Sequence, residues 1–259
     1  MKKIPELLKL AKRTALSAGI AFNKTNNSSI RKITGHQISG REIKIAADLM
    51  LNKLIRGKLK KSRIPILSEE SCCNKNVGKY DLLWIVDPLD GSVNYLRDIG
   101  PSMISISLWG RGSPLFGVLY DVCSRSLSWG GIGFGAWENG KRIHVSACSR
   151  RADGVLLTGI PARFPRRKME RKRNFTKILL SFNKVRMIGS AAASLLLIAK
   201  GAGDAYIEDN IMIWDVAAGL AIVQGAGGGF KINQISALAP CRVFSANMNL
   251  LRKITDIAS

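Results

Sequence analysis

Trp84-Ile85-Val86-Asp87-Pro88-Leu89-Asp90-Gly91-Ser92 is the stretch from which fold and chemistry both follow. Trp84 to Val86 is an aromatic and β-branched run, which favours a strand. Asp87 comes next, Pro88 lacks the N–H that a ladder needs and is expected to stop the strand, and Gly91 permits a tight turn. The turn brings two carboxylates, three residues apart, onto one side. Two like charges at the end of a buried strand repel and are costly to desolvate unless a cation holds them. Oxygen ligands with no His or Cys nearby point to a hard cation, Mg²⁺ or Mn²⁺. Taken singly, each Asp is also an ordinary turn residue.

The wider chain makes this grouping stand out. Its 259 residues carry 40 Lys and Arg against 18 Asp and Glu, a formal net charge of +22. Against that background Glu69, Glu70, Asp81, Asp87, Asp90 and Asp98 fall within residues 69–98, and Asp204, Glu208, Asp209 and Asp215 within 204–215. The few acids are gathered, not scattered.

Periodicity places these acids on elements. Residues 3–22 and a stretch opening at Ser39, where Ser39-Gly40-Arg41-Glu42 has the form of a capping box, read as two amphipathic helices. Short apolar runs at 64–67, 82–86, 103–108, 115–120 and 127–129 predict a sheet-rich centre, and Arg142–Val145 is strand-like. From about residue 152 strands and helices alternate: strands at 155–158, 185–188, 205–207 and 229–232, helices at 166–181, 191–200 and 214–224. Alternation argues for an α/β fold with helices layered against sheet. No linker or repeat interrupts it, so the expectation is one domain, 1–259, divisible near 150 into sub-domains 1–150 and 151–259.

Composition excludes several classes. With 46% hydrophobic residues the chain can bury a large core, which excludes a disordered protein. Five cysteines (72, 73, 123, 148 and 241) without C-x-x-C spacing give neither a disulfide framework nor a zinc knuckle, so a reduced, cytoplasmic protein is expected. Charged residues interrupt the N-terminal apolar positions and no run of 18 apolar residues follows, so neither an export signal nor a membrane span is expected. Gly131-Ile132-Gly133-Phe134-Gly135-Ala136 imitates a dinucleotide-binding loop, but no helix is expected after it, and it reads as hairpin glycines.

Together these residues resemble a known family. Asp87-Pro88-Leu89-Asp90-Gly91-Ser92, with Trp84-Ile85-Val86 before it and Asn94-Tyr95 after it, is similar to the first signature of the inositol monophosphatase superfamily. Trp214-Asp215-Val216-Ala217-Ala218-Gly219, running on to Ala226-Gly227-Gly228, resembles the second. Ser68-Glu69-Glu70-Ser71 and Ala46-Ala47-Asp48 resemble two upstream elements, and the likeness covers about residues 5–257.

The resemblance implies an αβαβα five-layer sandwich of the inositol monophosphatase and fructose-1,6-bisphosphatase type, a homodimer, and a Mg²⁺-dependent, Li⁺-sensitive phosphomonoesterase. It assigns one Mg²⁺ to Glu69, Asp87 and the Leu89 carbonyl and a second to Asp87, Asp90 and Asp215, with a third, weaker ion sharing Glu69 in some members. It gives Ser92 and Asp48 the orientation of an attacking water, lets Gly91 and Ser92 face the phosphate, and has Glu208 contact sugar hydroxyls while Gly189-Ser190-Ala191 lines the substrate. Ordinary structural roles compete at two positions. Asp215 is placed to cap a helix, and Asp48 lies roughly 115° from the apolar stripe of its helix, where a solvated acid also fits. Two departures stand out: Ser68 replaces the family's Gly, and Gly225 stands where many relatives have Glu.

Inositol monophosphate is the leading substrate; fructose 1,6-bisphosphate, 3′-phosphoadenosine 5′-phosphate and histidinol phosphate are served by relatives with the same metal site. Five cations in residues 56–63 and seven in 163–173 form the alternative, a nucleic-acid-binding protein on a phosphatase-like fold. Aromatic residues for base stacking are sparse in those runs, and solvated basic faces explain them better.

Overall fold

A computed structural model describes residues 4–25, 40–71, 79–160, 169–233 and 239–253. The chain opens with α1 (Ile4–Thr25) and α2 (Gly40–Leu59), then β1 (Ile66–Ser68), β2 (Leu83–Asp90) and the short α3 (Ser92–Arg97). An antiparallel run follows: β3 (Met103–Gly110), β4 (Ser113–Asp121), β5 (Leu127–Gly131), β6 (Gly135–Glu138) and β7 (Lys141–Arg142). The second half holds β8 (Val155–Thr158), α4 (Met169–Leu180), β9 (Lys184–Arg186), α5 (Ala191–Ala199), β10 (Ala205–Ile211), α6 (Ile213–Gly225), β11 (Gly228–Ile232), β12 (Cys241–Asn247) and α7 (Met248–Lys253).

The strands form two sheets, one of seven in the order β1 to β7 and one of five in the order β11-β12-β10-β8-β9. Three apolar layers bind them together. Leu8, Ala11, Ala15, Leu51 and Ile55 from α1 and α2 pack on Trp84, Val86, Ile106 and Val118 from one face of the first sheet. The other face, with Leu83 and Ile85, packs on α5 and α6, which in turn meet Tyr206 and Val243 of the second sheet. Leu156, Ile207 and Phe244 then turn outward to Ile178 and Leu179 of α4 and Leu250 and Leu251 of α7. The order is α1/α2, sheet, α5/α6, sheet, α4/α7: the αβαβα sandwich. Because both faces of β2 are covered, its first half, residues 83–86, reads as a continuous apolar run with no polar alternation.

Several expectations need correcting. Pro88 does not stop the strand. β2 runs through it to Asp90, and the register against β3 passes from Asp87↔Ser105 to Asp90↔Met103, so one extra residue forms a bulge. A bulge forfeits a ladder bond anyway, so a residue without an N–H is tolerated there. The expected strand at 185–188 is Lys184–Arg186, ending before Gly189, which takes a left-handed φ of 78°. β7 stops at Arg142, and β12 and α7 went unanticipated. The Ser39 capping box, Cys72 and Cys73, and residues 161–168 of the basic run lie outside the described residues. Among the described residues, Cys123, Cys148 and Cys241 are free, and no helix is long and apolar enough to cross a membrane. The glycine run is a hairpin, as expected, with Gly133 and Gly135 in the left-handed region.

Candidate active site

The bulge of β2 sets the first two acids. Asp87 Oδ1 accepts the N–H of Leu89 at 3.0 Å, a bond within the bulge that leads on to Asp90. Gly91 then turns with φ 77°, and a Cβ there would lie 3.0 Å from both the Pro101 carbonyl oxygen and Ser190 Cβ, so the position needs glycine.

The contact with Ser190 joins the two halves of the chain. Ser190 is the N-cap of α5; its hydroxyl donates to Asp90 Oδ2 at 2.6 Å and accepts the N–H of Ala193 at 3.1 Å. The Ala192 N–H adds a second bond to Asp90 Oδ2 at 2.8 Å. Asn94 fixes this approach by donating from Nδ2 to the carbonyls of Ile188 (2.7 Å) and Pro101 (3.2 Å). The Ser190 hydroxyl and the Ala192 N–H therefore sit directly on Asp90.

Asp215 arrives on α6, its Oδ2 accepting the N–H of Met212 at 3.1 Å. The helix is seated on the first sheet by close approach: a Cβ at Gly117 would lie 2.1 Å from the Ala218 carbonyl oxygen. Ser107 and Trp109 donate to the carbonyl of Ala217 at 3.3 and 3.4 Å. One carboxylate oxygen each from Asp87, Asp90 and Asp215 consequently lies within 4.8 Å of the others. Asp215 thus makes the N-terminal helix contact and joins the cluster; the two roles coexist.

Burial makes this cluster costly when ionised. It holds the Asp87 carboxyl well above the usual range, with Asp90, Glu69 and Asp215 adding repulsion. Asp215 is raised well above its ordinary value, first by burial and then by Asp90 and Glu69. Asp90 is pushed up to about 6 by burial, against the bonds from Ser190 and Ala192 that favour its charged form. Glu69, on the short 3₁₀ turn Glu69–Ser71, acts on all three, although among the described residues the 4.8 Å group comprises only the aspartates. A divalent cation would replace the protons that such a group otherwise holds, and an all-oxygen donor set fits a hard one.

The chain matches the model of the inositol monophosphatase family over residues 6–234. It belongs to that family. It is 34% identical to the Nus factor SuhB of Xylella fastidiosa over 199 residues, 75% of this chain and 71% of that one. Identity to human inositol monophosphatase 2 is 31% over 230 residues, 86% of this chain and 79% of that one. The crystal structure of inositol monophosphatase-II from Staphylococcus aureus superposes with a TM-score of 0.84 at 22% identity, covering 98% of this chain and 93% of that one, and shares the fold. The inositol monophosphatase family is metal dependent, and the acidic cluster fits that requirement.

The two departures from the inositol monophosphatase pattern have local explanations. The hydroxyl of Ser68 donates to Asn52 Oδ1 at 3.0 Å, tying β1 to α2. Asn52 lies four residues after Asp48, so the two share a helix face, and that face is turned inward. Asp48 is 4% exposed, which removes the solvated alternative. The apolar stripe misplaced it because α2 meets β2, α3 and the turn carrying Glu69 as well as α1. Ser92 opens α3 and is buried. Gly225 is set by close packing: a Cβ there would lie 2.4 Å from the Gly135 carbonyl oxygen and 2.6 Å from the Gly131 nitrogen. The glycine hairpin occupies the space that a longer side chain would need.

Glu208 reaches the same centre from β10, within Coulombic range of Asp90 and Asp215. Three residues around the site escaped the sequence reading. Asn94 locks residues 188–190, Tyr206 bonds Glu208, and Gly159 leaves Glu208 its room. Only Asn94, within the first signature, carried any local signal.

Proposed function

We propose that the chain, acting as one domain over residues 1–259, is a Mg²⁺-dependent phosphomonoesterase of a small phosphorylated polyol, with inositol monophosphate as its leading substrate. The observation that carries this reading is the meeting of Asp87, Asp90 and Asp215 within 4.8 Å, on elements from both halves of the chain. Glu69, Asp87, the Leu89 carbonyl, Asp90 and Asp215 would hold the ions, and Mn²⁺ suits the same donors. When bound, the ions supply Lewis-acid polarisation of the phosphoryl group and neutralise developing charge. The residues of the chain do the positioning. Ser190 and the Ala192 N–H fix Asp90, the bulge fixes Asp87 against Leu89, and Met212 fixes Asp215. Asp48 and Ser92, both buried, would orient the attacking water, and Gly91, Ser92 and the 189–191 turn would line the phosphate side. Glu208 accepts from substrate hydroxyls.

Free cysteines accord with a reduced, cytoplasmic setting. Val93, next to Asn94 in the chain, and Met187, next to Ile188, are exposed apolar residues flanking the Asn94–Ile188 bond, and a homodimer would cover them. The test is phosphate release from inositol 1-phosphate with Mg²⁺ titrated from zero, beside fructose 1,6-bisphosphate, 3′-phosphoadenosine 5′-phosphate and histidinol phosphate. Inositol 1-phosphate is expected to turn over fastest and Li⁺ to inhibit. Asp90→Asn is expected to lower kcat by about 10²-fold or more with an unchanged circular dichroism spectrum. Metal-independent turnover, or turnover unaffected by that substitution, overturns the proposal.

A further inference from the structure

Glu208 is held on three sides by groups outside the metal cluster. Tyr206, fully buried two residues earlier on the same strand and face, donates its hydroxyl to Glu208 Oε2 at 2.8 Å. Just past the end of the neighbouring strand β8, Gly159 has no side chain; a Cβ there would lie 2.6 Å from each Glu208 oxygen. Beyond Glu208 the strand bulges, the register against β12 passing from Glu208↔Val243 to Ile211↔Cys241 with Asn210 at φ 57°. Asp209 within that bulge is gripped by the Arg242 guanidinium, Nε to Oδ1 and Nη2 to Oδ2. The backbone on either side of Glu208 is thereby fixed, and its side chain has one oxygen committed.

We propose that Tyr206 is a positioning residue for polyol recognition: by binding Oε2 it aims Glu208 so that Oε1 accepts a hydroxyl of the substrate. The inference rests on the phosphatase reading above. A carboxylate with three rotatable bonds loses entropy when it meets a ligand, and a donor that fixes it beforehand lowers that cost. Sites built to bond a hydroxyl also reject analogues lacking it, because the acceptor is left unpaired. Tyr206 thus sets a preference between phosphate esters without touching the reacting atoms.

The experiment compares inositol 1-phosphate with p-nitrophenyl phosphate, which has no aliphatic hydroxyl, in the wild type, Tyr206→Phe, Glu208→Gln and the double variant. In Tyr206→Phe the KM for inositol 1-phosphate is expected to rise about tenfold with kcat changed less than threefold, and the ratio of kcat/KM for inositol 1-phosphate over p-nitrophenyl phosphate to fall by about the same factor. The double variant is expected to match Glu208→Gln, since Tyr206 acts only through that carboxylate. Additive losses, or equal losses on both substrates, overturn the assignment of Tyr206 while leaving the phosphatase reading intact. A Glu208→Gln variant with an unchanged ratio, or a wild type inert towards inositol 1-phosphate, removes the reading itself and the inference with it. Melting temperatures of all four proteins separate these outcomes from simple misfolding.

Discussion

Glu208 carries a stability signature as well as a functional one. Its carboxyl is pushed up to about 7, first by burial, with Asp90 and Asp209 adding repulsion and the Tyr206 bond opposing them. The ordinary value is 4.5, so between about pH 4.5 and 7 the folded, metal-free chain holds this proton more tightly than the unfolded chain. Folded stability contributed by the group is therefore full below about pH 4.5 and falls as pH rises towards 7. A shift of this size is worth about 3 kcal/mol. Glu208→Gln removes the ionisation, so the metal-free variant is expected to exceed the wild type by on the order of 2 kcal/mol at pH 8 and by nothing at pH 4.5. Urea unfolding at the two pH values measures this, and a gain that ignores pH refutes it. At this scale the sequence was legible where chemistry is local. Asp87 and Asp90 stand three apart, and Asp215 follows a recognisable Trp. Gly159 was not legible, because the clearance it provides exists only after β8 and β10 pair, and Tyr206 was not, because an i, i+2 pair on a strand announces a shared face but no bond. Asp48 needed its neighbour Asn52 and a distant Ser68 to be understood.

At the scale of elements, α6 decides where the second half of the chain places its ligand. It lies against glycines at its middle and its C-terminal end: Gly117 beneath Ala218, and Gly131 and Gly135 beneath Gly225. The obstacles are backbone atoms, which cannot swing aside as a side chain would. Gly225→Ala is therefore expected to cost about 1–3 kcal/mol, the range for overpacking, and to tilt the helix bearing Asp215. Thermal denaturation reads the first effect. A raised Mg²⁺ requirement for turnover, compared with Gly57→Ala where nothing lies within 4 Å of the new Cβ, reads the second. Elements with apolar runs were legible in the sequence, and β8 was anticipated residue for residue. β12 was not, since Ser245 and Asn247 are poor strand formers. Their polar groups are satisfied only by position, Ser245 donating to the Gly229 carbonyl and Asn247 bonding Ser146 and the Leu250 N–H. Pro88 misled for a related reason: a bulge forgives the missing N–H, and nothing in the sequence announces a bulge.

Across the whole molecule, the net charge of +22 and the acidic centre act in opposite directions. The cations form an exposed background, as at Lys60, Lys61 and Arg63, and an exposed pair such as Arg111–Asp81 contributes little to stability. The buried acids are where pH acts strongly. Asp87 and Asp215 are held well above the ordinary carboxylate range and Asp90 to about 6, so without metal the folded chain keeps protons that the unfolded chain releases near pH 4. As pH rises and these protons leave, that of Asp90 near pH 6, like charges face one another and the metal-free fold loses stability. Mg²⁺ competes for the same oxygens, so its binding is opposed at low pH and unopposed at high pH. The rise in melting temperature on adding about 5 mM Mg²⁺ is accordingly expected to be small at pH 5 and to grow by several degrees by pH 8, through mass action on the folded state alone. Asp90→Asn is expected to blunt the pH dependence, because it removes a repelling charge and a ligand together. Scanning fluorimetry across pH 5 to 8, with EDTA as the metal-free reference, decides the matter. A Mg²⁺ increment of equal size at every pH would mean that the cluster does not exchange protons for the ion.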